Sequence, residues 1–280
     1  MVHDGFWRRA LRHRSFVLGG ALVTCLVLCA LLALLWTPWP VAEIDIPNKL
    51  ARPSTAHWLG TDSLGRDIAS QLLAGSHSSL LVGFIAVGIG LSIGGALGLI
   101  AAARQGWVDE AIMRMADFAF AFPALLLAIM LTAIYGPGLV VSITAIGIFN
   151  IPVFARVTRG AAQSVWAREY VLAAQAAGKG GWRITLDHVL PNIASVLIVQ
   201  ATAQFAVAIL AEAALSYLGL GTLPPQASWG RMLNEAQAQM FQAPWLAVYP
   251  GVAIALTVLG LNLLGDGLRD VLDPRLARQR

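Results

Sequence analysis

Six stretches of this chain are apolar for long enough to cross a hydrocarbon layer, and that removes most folds from consideration. A bilayer core about 30 Å thick takes roughly 17 to 25 helical residues; the runs are 16–36, 80–103, 118–135, 139–155, 193–218 and 245–264. In lipid a chain must satisfy its own backbone hydrogen bonds, so each run is predicted to be a helix. The expected fold class is therefore all-α and integral to a membrane, with six transmembrane helices. Composition agrees, with 58% hydrophobic and 12% charged residues and a mean hydropathy of +0.70. Soluble domains carry roughly 25% charge, and a water-soluble fold of this size could not hide so much apolar surface.

The flanks of the runs set an orientation. Of the Lys and Arg residues, 15 fall before the first run, between the second and third, between the fourth and fifth, and after the sixth; only Lys49, Arg52, Arg66 and Arg231 lie on the other side. The positive-inside rule then predicts both termini in the cytoplasm, and an even number of crossings agrees. The first run follows Arg8, Arg9, Arg12 and Arg14 like a signal peptide, yet its 21 apolar residues exceed the roughly 7 to 15 of a cleaved segment. It reads as a retained anchor. Cys25 and Cys29 both lie within it, so no disulfide framework is implied and helix or lipid packing accounts for them.

Several runs carry more than hydrophobicity. Gly90, Gly94 and Gly98 recur every four residues, a bare strip that lets a neighbouring helix approach closely. Pro123, Pro152 and Pro250 are expected to kink or bound helices. Gln200, Gln204 and Glu212 share one helical face, and an acid at membrane depth must meet protein or a wet cavity. Two readings stand for them, a translocation path or else a structural hydrogen bond to another helix or a position near the outer interface, and the second leads; Asn150 and Asn262 are read the same way. The outer segment 37–79 contains HWLGTDSLGRD at 57–67. His57, Asp62, Asp67 and His77 match no metal-ligand spacing, so no metal is assigned. Segment 219–244 reads as a turn and a short amphipathic interfacial helix, with Trp229 and Trp245 as headgroup anchors.

Against this apolar background, REYVLAAQAAGKGGWRITLDHVLP at 168–191 is polar and glycine-marked. Residues 169–177 are helix formers with Tyr170, Val171 and Ala174 on one side, and Gly178 stands where a left-handed C-terminal residue belongs. Gly180 and Gly181 break the chain; Leu190-Pro191-Asn192 is expected to end this element and cap the next span. Helix connections in bundles usually run about 2 to 8 residues, so a loop this long calls for a purpose, and a soluble partner docking on it supplies one. The chain has no G-x-x-x-x-G-K-[ST] phosphate loop, since Gly178-Lys179 is followed by Gly180, so ATP hydrolysis by this chain is not expected.

The loop resembles the EAA region of permease subunits of ATP-binding cassette importers. Ala173, Ala174, Gly178, Leu190 and Pro191 match that pattern, whereas Leu172 occupies the place of its glutamate. With HWLGTDSLGRD, AEAALSYLGLG at 211–221, SWGRML at 228–233 and PGVAIALTVLGLNLLGDGLRDVLDP at 250–274, the chain is similar to C-type permeases of the dipeptide, oligopeptide and nickel importer family.

The resemblance implies a type I (MetI-like) permease bundle and no catalytic residue, metal or cofactor of its own. It also implies a second, different permease, two cytoplasmic ATPases and an extracytoplasmic solute-binding protein as partners, with lipid around the bundle and no nucleic acid. Glu169, Tyr170, Val171, Leu172, Ala173, Ala174, Gly178, Leu190 and Pro191 become the expected coupling residues. The expected division is an N-terminal segment with the first helix and outer segment (1–75), the transmembrane domain (76–268) and a tail (269–280). A secondary carrier titrating Glu212 is the alternative; inverted repeats would favour it, and the sequence shows none.

Overall fold

The computed structural model describes residues 10–272. Arg8, Arg9, Arg275, Arg278 and Arg280, counted in the charge bias, and most of the 269–280 tail lie outside the described residues. The chain folds as helices: α1 (Arg14–Leu35), α2 (Ile68–Arg104), α3 (Gly106–Ala121), α4 (Ala124–Tyr135), α5 (Leu139–Trp166), α6 (Glu169–Ala176), α7 (Gly181–Tyr217), α8 (Trp229–Ala236) and α9 (Trp245–Leu272). Five of them, α1, α2, α5, α7 and α9, are each long and apolar enough to span a membrane.

The third apolar run is not one straight helix. Its chain turns by 80° between α3 and α4, at Phe122-Pro123, where proline lacks the N–H that would carry the helix on and restricts the residue before it. The pair nevertheless crosses the bundle. α3 starts beside Arg104, near Ala102, which packs with Val171 of α6; α4 leads to Gly138, whose N–H donates to Leu220 O at 3.4 Å just past the end of α7. The start of α1 and the end of α9 meet through His13 Nε2 and Asp270 at 3.1 Å. Both ends of the described chain thus share a side, which requires an even number of crossings and makes α3 with α4 the sixth.

Polar helix ends extend the spans beyond their apolar cores. α2 begins at Ile68, well before the apolar run, because Asp67 caps it by accepting from Ser70 N at 2.8 Å and Ile68 is buried. α5 runs on to Trp166 and α7 starts at Gly181, so the non-helical chain flanking α6 is short. Pro152 and Pro250 are absorbed inside α5 and α9. Leu190-Pro191-Asn192, expected to stop one element and cap the next, instead lies inside a continuous α7. A π-turn at Thr185–Val189 makes this possible, with Leu190 N–H donating to Thr185 O. Pro191 has no N–H and its ring would strike the carbonyl four residues back; the wider turn relieves that clash.

The strip Gly90, Gly94 and Gly98 faces α5. A Cβ at Gly94 would stand 2.2 Å from Ile151 O, and one at Gly98 2.5 Å from Ala155 O. A second close contact, between α1 and α9, rests on Gly19, where a Cβ would lie 2.3 Å from Leu264 N. No four-residue repeat marks it in the sequence. Large side chains of α1 such as Leu18, Leu28 and Leu34 are left exposed, as a lipid-facing helix requires.

Candidate coupling loop and membrane-depth polar residues

At one end of the bundle, α6 is seated on the spans rather than dangling from them. Val171 is fully buried among Ala102, Val165, Trp166, Ile184 and Val189, so the ends of α2, α5 and α7 together hold it. Ala174 packs partly against the same cluster. Tyr170 does not join it as expected: its ring stands edge-on to His188, centroids 6.1 Å apart, and stays exposed. Glu169, Leu172 and Ala173 are also exposed, and Trp182 and Leu186 extend the apolar surface onto the start of α7.

Gly178 ends α6 in the left-handed region at φ +81. Its N–H donates to Gln175 O at 2.9 Å and the Lys179 N–H to Ala174 O at 3.1 Å, the paired bonds of a Schellman stop. Lys179 then braces the return: its Nζ lies 2.9 Å from Asp187 and 3.0 Å from His188 Nε2. Leu190 is half-buried in the cluster beneath α6 and Pro191 is exposed beside it.

Glu212 is fully buried at the opposite end, where its Oε1 accepts from Ser216 Oγ at 2.7 Å and lies 3.4 Å from Thr222 Oγ1. Ser216 Oγ in turn accepts from Thr222 N at 3.0 Å. The acid therefore pins the turn after α7 onto its own helix, rather than bonding to another helix. Gln200 and Gln204 are half-buried. Asn150 is buried with Nδ2 3.5 Å from Ala86 O on α2, whereas Asn262 is exposed.

Segment 57–67 folds into a module on the same end as Glu212. His57 Nδ1 meets Asp67 at 3.0 Å, while Asp62 accepts from Arg66 Nε at 2.7 Å and Gln71 Nε2 at 2.9 Å. Arg66 also reaches Glu235 of α8, which pairs with Arg231 at 2.6 Å. Burial alone would lower the Arg66 guanidinium; Asp62 and Glu235 outweigh it and hold the group above its ordinary range. Trp229 is not a headgroup anchor. It is buried, its Nε1 donating to Leu72 O at 3.0 Å, because α8 packs its apolar face on Ile68 and Leu246. Trp245 is half-buried; Trp36 and Trp58, 6.3 Å apart, and Trp39, whose ring lies 5.0 Å from that of His57, are exposed here.

Spanning helices that carry a seated helix at one end and an ordered polar module at the other define a multi-span helical membrane protein. The model of the family described as binding-protein-dependent transport system inner membrane component matches residues 94–278, and that of the N-terminal TM domain of oligopeptide transport permease C matches residues 4–53. This chain belongs to the binding-protein-dependent transport system inner membrane components. It is 45% identical to the glutathione transport system permease protein GsiD of Pectobacterium atrosepticum over 97% of this chain and 90% of that one. To the dipeptide transport system permease protein DppC of Alkalihalophilus pseudofirmus it is 43% identical over 96% and 90%. Among solved structures, a chain of the MetNI methionine ABC transporter in an inward-facing crystal form shares the fold, with a TM-score of 0.62 at 18% identity over 72% of this chain and 97% of that one. The protein is a non-catalytic permease subunit of an ABC importer, with ATP hydrolysis in partner subunits. The carrier alternative built on Glu212 finds no support in that membership.

Proposed function

We propose that this chain is the C-type half of a permease pair that imports short peptides, glutathione included, through the cytoplasmic membrane of a bacterium. Two ATPases drive it through α6, and a solute-binding protein loads it at the His57 end. The observation that carries the reading is α6 itself: Val171 locks it to three spans while Tyr170, Leu172 and Ala173 remain uncovered. A helix held so firmly below and open above transmits displacement of a docked partner to the bundle. The charge bias supports α6 and both termini in the cytoplasm. Residues 76–268 would be the transporting unit, with 1–75 as its N-terminal addition and 269–280 as a tail. Gln200 and Gln204 are the path-lining candidates, while Glu212 holds the far turn.

Closure of the ATPases would draw α6 toward its counterpart on the second permease and rock the bundle outward-open; hydrolysis would return it. ATP shifts this equilibrium only by its differential affinity for the two states, so α6 must move with the ATPase. The relatives' printed substrates, glutathione and dipeptide, support a zwitterionic peptide backbone as the common ligand.

The test is a mild-detergent pull-down of the tagged chain from its native membrane, followed by uptake in proteoliposomes. Recovery of a second permease, ATPases and a binding protein, with ATP-dependent peptide uptake, is the expected outcome. A chain that purifies alone and transports without ATP would overturn the proposal.

A further inference from the structure

Arg156 and Arg159 look like loop residues in the sequence, yet both lie within α5. Their depth follows from the glycine strip. A Cβ at Gly94 would meet Ala155 N and one at Gly98 would meet Arg159 N, so this turn of α5 is level with Gly94–Gly98 on α2. That is 6 to 10 residues from Arg104, where the apolar run ends, or about 9 to 15 Å along a helix. The other boundary of the run, Leu80, is still further away. The charges therefore stand level with the apolar run of α2, while on their own helices Arg156 and Asp117 border the runs 139–155 and 118–135.

Arg159 behaves as a structural cation. It is partly covered and grips Asp109 near the start of α3 with NH2 to Oδ2 at 2.6 Å. Arg156 behaves differently. It pairs with Asp117, and the two side chains remain 45% and 61% exposed. Nor does Arg156 reach back toward the membrane surface. Asp117 stands eight residues, about 12 Å, further along α3 than Asp109, while the two arginines are only three residues apart. Its guanidinium lies 4.4 Å from the Phe120 ring centroid, and Phe149 meets the same ring edge-on at 5.9 Å.

An exposed ion pair at this depth costs several kcal/mol against lipid, so this face looks onto water or protein. A guanidinium and a carboxylate side by side, with aromatic rings beneath, present charges complementary to a molecule that carries both a carboxylate and an ammonium. We propose that Arg156 and Asp117, with Phe120 and Phe149, form a way-station in the translocation path that takes the two charged ends of a peptide. Arg156 receives the α-carboxylate and Asp117 the ammonium, the substrate exchanging with the internal pair. This deepens the peptide-import reading and rests on it.

The experiment uses the complete importer in proteoliposomes, with an alanyl peptide bearing free termini as the probe. Arg156→Gln and Asp117→Asn are expected to lower uptake per ATP hydrolysed about tenfold, the loss of one charge-assisted contact, with the assembled complex recovered in full. The swapped double variant, Arg156→Asp with Asp117→Arg, separates a station from a brace. It stays impaired if substrate reads the order of charges and returns to wild type if the pair only ties α3 to α5. In a background with Cys25 and Cys29 replaced by Ser, Ala121→Cys sets a thiol at an exposed position one turn beyond Asp117 and leaves the pair intact. That thiol should react with a charged, membrane-impermeant reagent and be protected by the peptide. Lack of peptide uptake by the wild-type importer would overturn the import reading and the station with it. Wild-type uptake by Arg156→Gln, rescue by the swap, or an unreactive Ala121→Cys variant alongside normal wild-type uptake would overturn the station alone.

Discussion

At the scale of single residues, two glycines illustrate different physical requirements. Gly94 is needed for space: a Cβ there would lie 2.2 Å from a backbone oxygen of α5, which cannot swing aside as a side chain can. Gly94→Leu is expected to part α2 from α5 and cost about 3 kcal/mol or more, read as a lowered unfolding temperature in detergent. Gly88→Leu, on the same helix with nothing near its Cβ, should leave that temperature unchanged. Gly178 is needed for conformation: nothing would touch its Cβ, but its φ of +81 strains any β-branched residue. Gly178→Val should loosen the end of α6 by about 1 to 2 kcal/mol and reduce ATPase recovery in a pull-down, while Gly178→Asn, which tolerates the left-handed region, retains it. Both glycines could be singled out in the sequence, one by spacing and one by its place after a helix-forming run. A structural hydrogen bond for Glu212 was legible too, but its Thr222 partner was not, because Thr222 reaches the acid only when the chain turns back after α7.

At the scale of elements, apolar runs located the spans but not their ends. Hydropathy reports where lipid would be, whereas helices run on until a cap or a glycine stops them, as Asp67 and Gly178 do. The break at Phe122-Pro123 had its proline as a signal; the 80° size of the turn had none. The π-turn at Thr185–Val189 had no signal in hydrophobic periodicity, since one widened turn shifts the pattern by only a residue. It sets the rotation of α6 and the turn after it relative to the transmembrane part of α7, and Pro191, two residues on, lacks the donor that a tight turn would use. Pro191→Ala restores the missing donor and lets the turn tighten, which would rotate everything before it by about 100°. The expected phenotype is a complex that assembles in the membrane but hydrolyses more ATP per peptide imported, measured as the uptake-to-phosphate ratio in proteoliposomes.

At the scale of the whole molecule, the bundle carries an ordered polar assembly at each end, and the two are built differently. The α6 end is an apolar cluster, Val171 set into the ends of three spans, and such a joint passes on movement through packing. The other end is held by charge: Arg66, nearly buried, ties Asp62 of segment 57–67 to Glu235 of α8. A buried cation between two acids fixes geometry, and removing it leaves like charges facing each other. Arg66→Met should destabilise that end by about 3 kcal/mol, toward the low end for a buried pair, because Asp62 keeps the Gln71 and backbone donors and Glu235 keeps Arg231. The loss should be local. Hydrogen exchange is expected to speed up across residues 57–67 and 229–236 and to remain unchanged across 169–193, where nothing depends on Arg66. If the two ends also serve separate partners, this variant will still bring down the ATPases while ATP turnover no longer responds to the binding protein. Equal loss of protection at both ends would mean instead that the bundle unfolds as one cooperative unit.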